Sequence, residues 1–385
     1  MVKRPNTLQR IIPFIDNSLV KVVTGIRRSG KTFLLQQIQE LLLNRDVGQN
    51  QIISIDFESR VYKDLNTTDT LYDFVKEQIE KNNPSKKSYI FLDEIQHVEK
   101  WELAVNSFRV DFDCDIYITG SNSKLLSGEL ATHLAGRYVS FCVYPFTFKE
   151  AKEYSIQNNT FTTNEALFAN YIKYGGFPQR FQMKDESSTE IYLEDIFNSV
   201  VLKDVIDRNK INNVPLLQKL CTFLLNNIGN PFSANSIVNK FKSEKITIST
   251  DTVINYISYI ETAFILFAVP RYDITGKKLL ESNEKYYSAD IGLRNIARTS
   301  EKIDVNKLYE NIVFLELKER GWNVNVGKLG DNEIDFICYR GKEKIYIQVA
   351  YLITEQDEKR EFGNLEKIPD SYPKYIISSD LVDMS

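Results

Sequence analysis

An octapeptide near the start of the chain constrains its fold more than any other feature. Residues 25–32, GIRRSGKT, match the pattern G-x-x-x-x-G-K-[ST] at every position. A β-branched run at 19–24 precedes the octapeptide, and a stretch with helical spacing of apolar residues follows at 32–43. Glycines let the backbone N–H groups of such a strand-to-helix loop approach a phosphate closely. The octapeptide therefore predicts a phosphate-binding loop in a parallel α/β sheet covered on both faces.

Two side chains of the octapeptide have specific chemical roles. We expect the Lys31 ammonium to contact the β- and γ-phosphates of a nucleotide, and the Thr32 hydroxyl to bind Mg²⁺. The loop and the residue after it are predicted to line the nucleotide site. These predicted cofactor-binding residues are Gly25, Arg27, Arg28, Ser29, Gly30, Lys31, Thr32 and Phe33. ATP and Mg²⁺ are the predicted cofactors.

An apolar strand-like run at 89–92 is followed by two acids, Asp93 and Glu94. Asp93 is predicted to hold the Mg²⁺ shell. Glu94 is predicted to orient and deprotonate the attacking water. One acid at this position would suit a kinase or a GTPase equally well, whereas two acids favour the hydrolysis of ATP.

Small polar groups follow the next strand-like run, at 116–119. In a nucleotide-hydrolysing sheet this strand lies beside both the phosphate loop and the acidic strand. Ser121 or Asn122 is therefore a candidate to contact the γ-phosphate or the water. Arg137, at the start of the following strand, is a candidate to stabilise transition-state charge, either in its own subunit or in a neighbouring one.

Length and the order of the remaining elements predict several domains. The 385 residues exceed what one hydrophobic core usually serves. After residue 145 the chain is mostly helical, and then three helix-like stretches precede a strand pair, which is a winged-helix pattern. Ser233 and Ser249 are predicted N-caps of the second and third of these helices. The predicted α/β fold comprises a P-loop ATPase core at 1–145, a mostly helical segment at 146–214, a winged-helix domain at 215–286 and a small α/β domain at 287–385.

The third helix of the predicted winged helix would be its recognition helix. Residues 249–260 offer Thr, Asn, Ser and Tyr on the exposed face, but neither Arg nor Lys. Lysines that could meet DNA phosphates lie nearby, at Lys240, Lys242, Lys245, Lys277 and Lys278. The same lysines could equally face water on a winged helix that packs against other parts of the protein and does not bind DNA. Both interpretations stay open.

The last part of the chain has a spacing that resembles the PD-(D/E)-x-K nuclease core. In that core an Asp and a Glu bind Mg²⁺, and a Lys two positions on helps to activate water. Glu310 and Asp335 fit the first two acids, whereas Gln348 replaces the next acid and Ala350 replaces the lysine. An amide is a weaker Mg²⁺ ligand than a carboxylate. We therefore predict a degenerate site without efficient cleavage, unless Lys344 or another residue takes the place of the lysine.

Composition excludes several classes of protein. Lys and Arg total 48 and Asp and Glu 52, so the net charge of −4 excludes a strongly basic nucleic-acid coat protein, although not a local basic face. Four cysteines without C-x-x-C spacing indicate free thiols in a reducing compartment, and two histidines exclude a His-rich metal centre. The longest apolar run, at 263–270, is too short to span a bilayer. We expect a cytoplasmic protein with no membrane partner.

Taken together, these motifs resemble a large prokaryotic family of AAA+-type ATPases. That family joins an AAA-type ATPase domain to a C-terminal domain of unknown function with a nuclease-like fold, and it is related to STAND ATPases. The matching strings cover nearly the whole chain: GIRRSGKT at 25–32, LDEIQ at 92–96, TGS at 119–121, LAGRY at 134–138, YGGFP at 174–178 and YSADIGLR at 287–294. The resemblance implies a three-part architecture: an ATPase core with a helical lid at 146–214, a winged-helix domain at 215–286 and a nuclease-like domain at 287–385. It implies the residue roles given above as well. It also implies that Pro178, in a motif similar to the Gly-x-Pro of signal-transducing ATPases, packs on the adenine.

The favoured hypothesis is an ATP-binding protein that couples ATP binding and hydrolysis to conformational change and acts on DNA. The first alternative is a STAND-type signalling switch with a protein target, and the second is an ATP-driven, metal-dependent nuclease. A small-molecule kinase is disfavoured because no acceptor pocket is apparent and the further domains would be unexplained. A protein partner is one further candidate for assembly. A homo-oligomer is another, since Arg137 acting in trans would require a neighbouring subunit.

Overall fold

Five apolar, β-branched runs form one parallel sheet within the first 145 residues. In this computed structural model they are β1 (Val20–Thr24), β2 (Ile52–Asp56), β3 (Ser88–Asp93), β4 (Cys114–Gly120) and β5 (Tyr138–Cys142). The strand order is β2-β3-β4-β1-β5, and every neighbouring pair is parallel. Every residue of β1 and β3 is buried, as expected when crossover helices cover both faces of a parallel sheet.

The structure describes residues 2–82, 86–123, 134–298, 304–352 and 362–379. The chain divides into two compact units, Met1–Pro145 and Phe146–Ser385. Within the described residues, no helix has the length and apolar character that crossing a membrane requires. The two units are described separately below.

Helices cover the two faces of the first sheet. They are α1 (Pro5–Ile11), α2 (Lys31–Leu43), α3 (Thr68–Asn82) and α4 (Trp101–Asp111). Successive strand residues point to opposite faces, so Phe91 packs in one core with α1 and α2. Its neighbours Ile90 and Leu92 pack in the other core with α3 and α4.

The strand order places three polar segments at the same edge of the sheet. The phosphate loop follows the carboxyl end of β1, Asp93 ends β3, and Ser121 follows β4. β4 pairs with β1 on one side and with β3 on the other. The predicted position of this strand, between the phosphate loop and the acidic strand, is therefore confirmed.

Helices form the first part of the second unit. They are α5 (Phe148–Gln157), α6 (Asn164–Tyr174), α7 (Glu186–Phe197), a π-helical segment (Asn198–Asp207), α8 (Val214–Asn226), α9 (Ala234–Ser243) and α10 (Thr250–Thr262). The hydroxyl of Ser233 accepts from the N–H of Ser236, and that of Ser249 accepts from the N–H of Thr252. Both predicted N-caps are thus confirmed.

A six-stranded sheet completes the second unit. Its elements are β6 (Leu266–Asp273), β7 (Lys278–Ser288), α11 (Ile291–Ile296), α12 (Val305–Glu319), β8 (Asn323–Leu329), β9 (Asn332–Arg340), β10 (Glu343–Ala350) and β11 (Lys374–Ser378). The strand order is β11-β10-β9-β8-β6-β7. β6 pairs with β7 in a hairpin and also with β8 in parallel, so the hairpin and the later strands share one sheet. The predicted boundary between residues 286 and 287 falls inside β7 and stays a prediction.

Candidate functional site

Two glycines shape the phosphate loop of the first unit. Gly25 has φ of 141°, and a Cβ there would lie 2.2 Å from the carbonyl oxygen of Val143. Any larger residue at this position would displace the chain after β5. Gly30 has φ of 100° and precedes α2 without a side-chain cap. The first N–H groups of a helix lack intrahelical partners, so those of α2 are available to an anion.

Two buried side chains of the loop fit a phosphate. Lys31 is only 4% exposed, and its Nζ lies 3.3 Å from the carbonyl oxygen of Gly25 and 3.4 Å from Glu94 Oε1. These are long contacts for an ammonium group. The Ser29 hydroxyl is buried and has no hydrogen-bond partner among the described residues. We expect both features in a phosphate-binding loop before phosphate binds. The ammonium group makes only long contacts, and the hydroxyl has no hydrogen-bond partner among the described residues.

Thr32 and Asp93 meet where Mg²⁺ is predicted. The Thr32 hydroxyl donates to Asp93 Oδ2 at 2.6 Å, and the Thr119 hydroxyl donates to Asp93 Oδ1. Burial raises the pKa of Asp93 above its ordinary value, and the two hydroxyl donors partly offset this effect. Hydroxyl and carboxylate oxygens are hard ligands that suit Mg²⁺, which usually takes one or two protein carboxylates together with phosphate oxygens. The donor set therefore fits Mg²⁺ bound with a nucleotide.

Glu94 is held in an unusual conformation directly after β3. Its φ of 53° lies in the left-handed region, which a non-glycine residue seldom adopts. Its backbone N–H donates to the Thr119 hydroxyl at 2.8 Å, and the Gln96 side-chain amide donates to Glu94 Oε2. Thr119 therefore contacts both acids. The sequence placed Thr119 at the right strand end but gave no reason to prefer it to Ser121 or Asn122.

Ser121 and Asn122 follow β4 at the same edge as the two acids. Their exposed fractions are 5% and 6%. Two polar side chains that are this buried, directly after the central strand, are consistent with the predicted contact to a γ-phosphate or water. That role stays a prediction.

Arg137 lies at the opposite edge of the same sheet. Its carbonyl oxygen accepts from the N–H of Val20 at the start of β1, whereas the phosphate loop follows the end of β1. The length of β1 separates the two edges by about 16 Å, more than an arginine side chain can span. The exposed guanidinium instead donates to Asn106 Oδ1 at 3.1 Å. A role for Arg137 at the phosphates of its own subunit therefore disagrees with this geometry, while the role in trans stays a prediction.

Arg4 holds the phosphate loop in place, and the sequence did not predict this role. Arg4 is 3% exposed, and its guanidinium donates to the carbonyl oxygens of Ser29 and Tyr144, at 2.7 Å each. It thereby ties the loop to the segment that follows β5. No local motif marks this arginine, because its partners are 25 and 140 residues away.

Replacing Arg4 by Met should weaken ATP binding about tenfold, because two charge-assisted bonds that fix the loop are lost while the aliphatic packing remains. The dissociation constant can be measured by isothermal titration calorimetry. Lys3→Met is the matched control, since Lys3 is exposed. Equal affinities for the Arg4 and Lys3 variants would contradict a bracing role.

The remaining residues predicted to bind the nucleotide lie in α2, in the phosphate loop and in the second unit. Phe33 lies in the first turn of α2 and is 54% exposed. Arg27 pairs with Glu58 at 3.2 Å, and Arg28 adopts φ of 63° within the loop. Pro178 begins a short 3₁₀ segment, Pro178–Gln182, in the second unit. Its predicted contact with adenine stays a prediction.

The residues of the predicted degenerate nuclease site come together in the second unit. Glu310 on α12 is buried and accepts from Tyr287 at 2.6 Å and from Lys285 at 3.0 Å. Asp335 on β9 is also buried, and its Oδ2 accepts from the N–H of Val349 at 2.8 Å. Gln348 uses its Oε1 to accept from the N–H of Asp335 at 3.2 Å.

The lysine of this cluster comes from an unexpected strand. Lys344, the replacement considered from the sequence, pairs instead with Asp370 at 3.0 Å. Lys285, on β7, has a fully buried side chain and contacts Glu310. Sequence spacing could not find Lys285, because it precedes the first acid of the motif by 25 residues. Among the described residues, no group of three or more His, Cys, Asp or Glu side chains is arranged to hold a metal ion.

Asp335→Asn should stabilise the second unit at alkaline pH. Burial, reinforced by the charge of Glu310 and partly offset by Lys285, raises the pKa of Asp335 from 3.8 to about 7. Ionising Asp335 thus costs more in the folded than in the unfolded state, so its contribution to stability falls as pH rises from about 4 to about 7. The free energy of unfolding of the variant should exceed that of the wild type by at most about 4 kcal/mol near pH 8, and by almost nothing near pH 4. Urea unfolding at several pH values measures this difference.

Asp331→Asn is the control for this pH dependence, since Asp331 is exposed in the turn before β9. It should follow the wild type at every pH. An Asp335 variant that loses stability equally at acidic and alkaline pH would contradict the predicted penalty of ionisation.

Two domain families match the sequence. Residues 17–152 match an AAA domain, and residues 165–303 match a domain of unknown function, DUF8612. The first match contains the phosphate loop, Asp93 and Glu94, and the whole parallel sheet.

Two relatives match most of the chain. An uncharacterized protein of Haemophilus influenzae is 39% identical over 98% of this chain and 93% of its own length. An uncharacterized protein of Methanocaldococcus jannaschii is 32% identical over 92% of this chain and 80% of its own. Among solved structures, the Walker-type ATPase of Pyrococcus abyssi is similar with a TM-score of 0.53 and 15% identity, covering 77% of this chain and 96% of that one. This last similarity concerns the fold.

Proposed function

Because this chain belongs to the family of AAA-domain proteins that includes these Haemophilus and Methanocaldococcus relatives, we propose that it binds ATP with Mg²⁺ and hydrolyses it. The site is the carboxyl edge of the first sheet. One observation carries the proposal: Lys31, Thr32, Asp93 and Glu94 come from two separate segments and are joined there by direct contacts.

Each group of residues in this site has a separate role in ATP hydrolysis. The N–H groups of the loop and of the first turn of α2 bind the phosphates, and Lys31 exchanges its long contacts for phosphate oxygens. Thr32 and Asp93 would hold Mg²⁺, which neutralises charge on the phosphates when bound. Glu94 accepts the proton of the attacking water. Its neighbours Thr119 and Gln96 hold its backbone and its carboxylate in place.

A direct test begins with the wild-type chain. Calorimetry should show one ATP bound per chain, more tightly with Mg²⁺ than with EDTA. A coupled phosphate-release assay should show turnover that requires Mg²⁺. Absence of ATP binding in both conditions would refute the proposal. Binding without any turnover would refute only its hydrolytic part.

The finer part of the proposal concerns the second unit, where we place a helical lid, a winged helix and a nuclease-like segment. The order of α8 to α10 followed by the β6–β7 hairpin supports the winged helix. ATP binding and hydrolysis would drive a conformational change in this unit, and DNA is the proposed target. Lys242, Lys245, Lys277 and Lys278 are exposed and available to phosphates.

The exposed face of α10 argues against base-specific contacts. It presents Asp251, Ile254, Asn255 and Ser258, without a positive charge. Any DNA binding by this segment should therefore depend on backbone phosphates and be strongly sensitive to salt, with little sequence preference.

Fluorescence polarisation with duplex, branched and single-stranded DNA tests this target, with and without ATP and at two salt concentrations. Salt-sensitive binding, and faster ATP turnover with one DNA form, are expected. No binding to any form would remove DNA as the target. An ATP-dependent change of oligomeric state, together with no response to DNA and near-zero turnover, would favour the alternative of a signalling switch with a protein target.

A further inference from the structure

A buried lysine lies at the centre of the acidic cluster in the second unit. The Lys285 Nζ lies 3.0 Å from Glu310 Oε1 and 2.5 Å from Glu333 Oε1. Its side chain is fully buried. The three elements that meet here are β7, α12 and β9. A buried ammonium group persists only when carboxylates compensate for its lost hydration, and here two of them contact it directly.

Three oxygen atoms that could bind a metal in this cluster already accept hydrogen bonds from other groups of the protein. Glu310 Oε1 also accepts from Tyr287, and Glu310 Oε2 accepts from Lys307 at 2.6 Å. The Gln348 oxygen accepts from the backbone N–H of Asp335. A metal ion entering between these groups would have to displace hydrogen bonds that are all formed within the protein.

The charge of the cluster also disfavours a divalent cation. Glu310 and Glu333 contribute two negative charges, which Lys285 and Lys307 balance. The negative charges of Glu310 and Glu333 are therefore already compensated, and an entering Mg²⁺ ion would face two ammonium groups. The residues present do not fit the metal that a nuclease-like core would require.

We propose that Lys285 is the resident cation of this site. Its ammonium group takes the position between Glu310 and Glu333 that a divalent metal would otherwise occupy. The site is thereby independent of metal ions and unsuited to metal-dependent cleavage of phosphodiesters. Removing the ammonium group converts the site into one that binds a divalent cation, because the buried carboxylate of Glu310 and the partly exposed carboxylate of Glu333 then lose this compensating charge.

Mn²⁺ titration of the full chain without nucleotide tests this exchange. Electron paramagnetic resonance of free Mn²⁺ counts bound ions in the wild type, in Lys285→Met and in Lys344→Met. The Lys344 variant is the control, since it removes a lysine of the same sheet that pairs with Asp370 instead. Lys285→Met should bind one more ion per chain than the other two proteins. At Mn²⁺ about tenfold above its dissociation constant, the melting temperature of this variant alone should rise by about 3–6 °C.

Two results would overturn the proposal. The first is a wild-type chain that binds Mn²⁺ at a site abolished by Glu310→Gln, because this would show a metal bound beside Lys285. The second is a folded Lys285→Met that binds no additional ion.

A Lys285→Met chain that fails to fold also gives an answer. If refolding succeeds only with millimolar Mn²⁺, the ion replaces the ammonium group as proposed. Failure with and without Mn²⁺ counts against the proposal. The double variant Lys285→Met/Glu310→Gln, which removes one charge of each sign, should fold without Mn²⁺ and bind no additional ion.

Discussion

Replacing Glu94 by Gln should lower the rate of ATP hydrolysis by about 10²–10⁴-fold, while ATP still binds. The amide keeps the size of the side chain and can still accept a hydrogen bond from Gln96, but it cannot take a proton from water. The loss should therefore appear in kcat. Phosphate release under saturating ATP measures the rate, and calorimetry on the same preparation measures binding.

Glu99→Gln is the matched control for this experiment. Glu99 is exposed a few residues further along the same segment. Its replacement should leave both rate and affinity unchanged. If Glu94→Gln hydrolyses ATP as fast as the wild type, Glu94 is not the general base, and the proton must pass to another group.

Lys31→Met should weaken ATP binding by about 10²-fold or more. The ammonium group is buried at the phosphate loop, where charge-assisted hydrogen bonds to phosphate are strong because little water competes for them. The expected loss corresponds to about two such bonds. Calorimetric titration with ATP and Mg²⁺ measures it, and titration with adenosine shows whether the effect is confined to the phosphates.

Lys63→Met controls for a general change of charge, since Lys63 is exposed. A second check concerns Glu94, which lies 3.4 Å from Lys31 in the structure. Because the methionine side chain leaves the Glu94 carboxylate without this cation, the Lys31 variant should be less stable without ATP than the wild type. An ATP affinity equal to that of the Lys63 variant would contradict the role of Lys31.

Local patterns in the sequence predicted the parts of the fold that depend on near neighbours. The phosphate loop, the five strands of the first sheet and the caps Ser233 and Ser249 all follow from short motifs or from periodicity. The position of β4 beside both β1 and β3 was also predictable, because in a nucleotide-hydrolysing sheet this strand lies beside both the phosphate loop and the acidic strand.

The contacts that were missed join distant segments. Arg4 reaches Ser29 and Tyr144, and Lys285 reaches Glu310. Nothing in a window of ten residues distinguishes a lysine that will pair inside a sheet from one that will face water. The position of Arg137 shows a different difficulty. Its motif indicated a functional arginine, but only the direction of β5 shows that this residue lies at the edge opposite the phosphate loop.

The pairing of β6 with both β7 and β8 has a consequence for where the second unit can be divided. A strand with partners on both sides cannot lose one of them without exposing a row of unpaired backbone groups. A fragment that ends between the hairpin and the later strands would split this sheet and leave one side of β6 unpaired. Such a fragment should therefore aggregate more readily than a fragment that keeps all six strands.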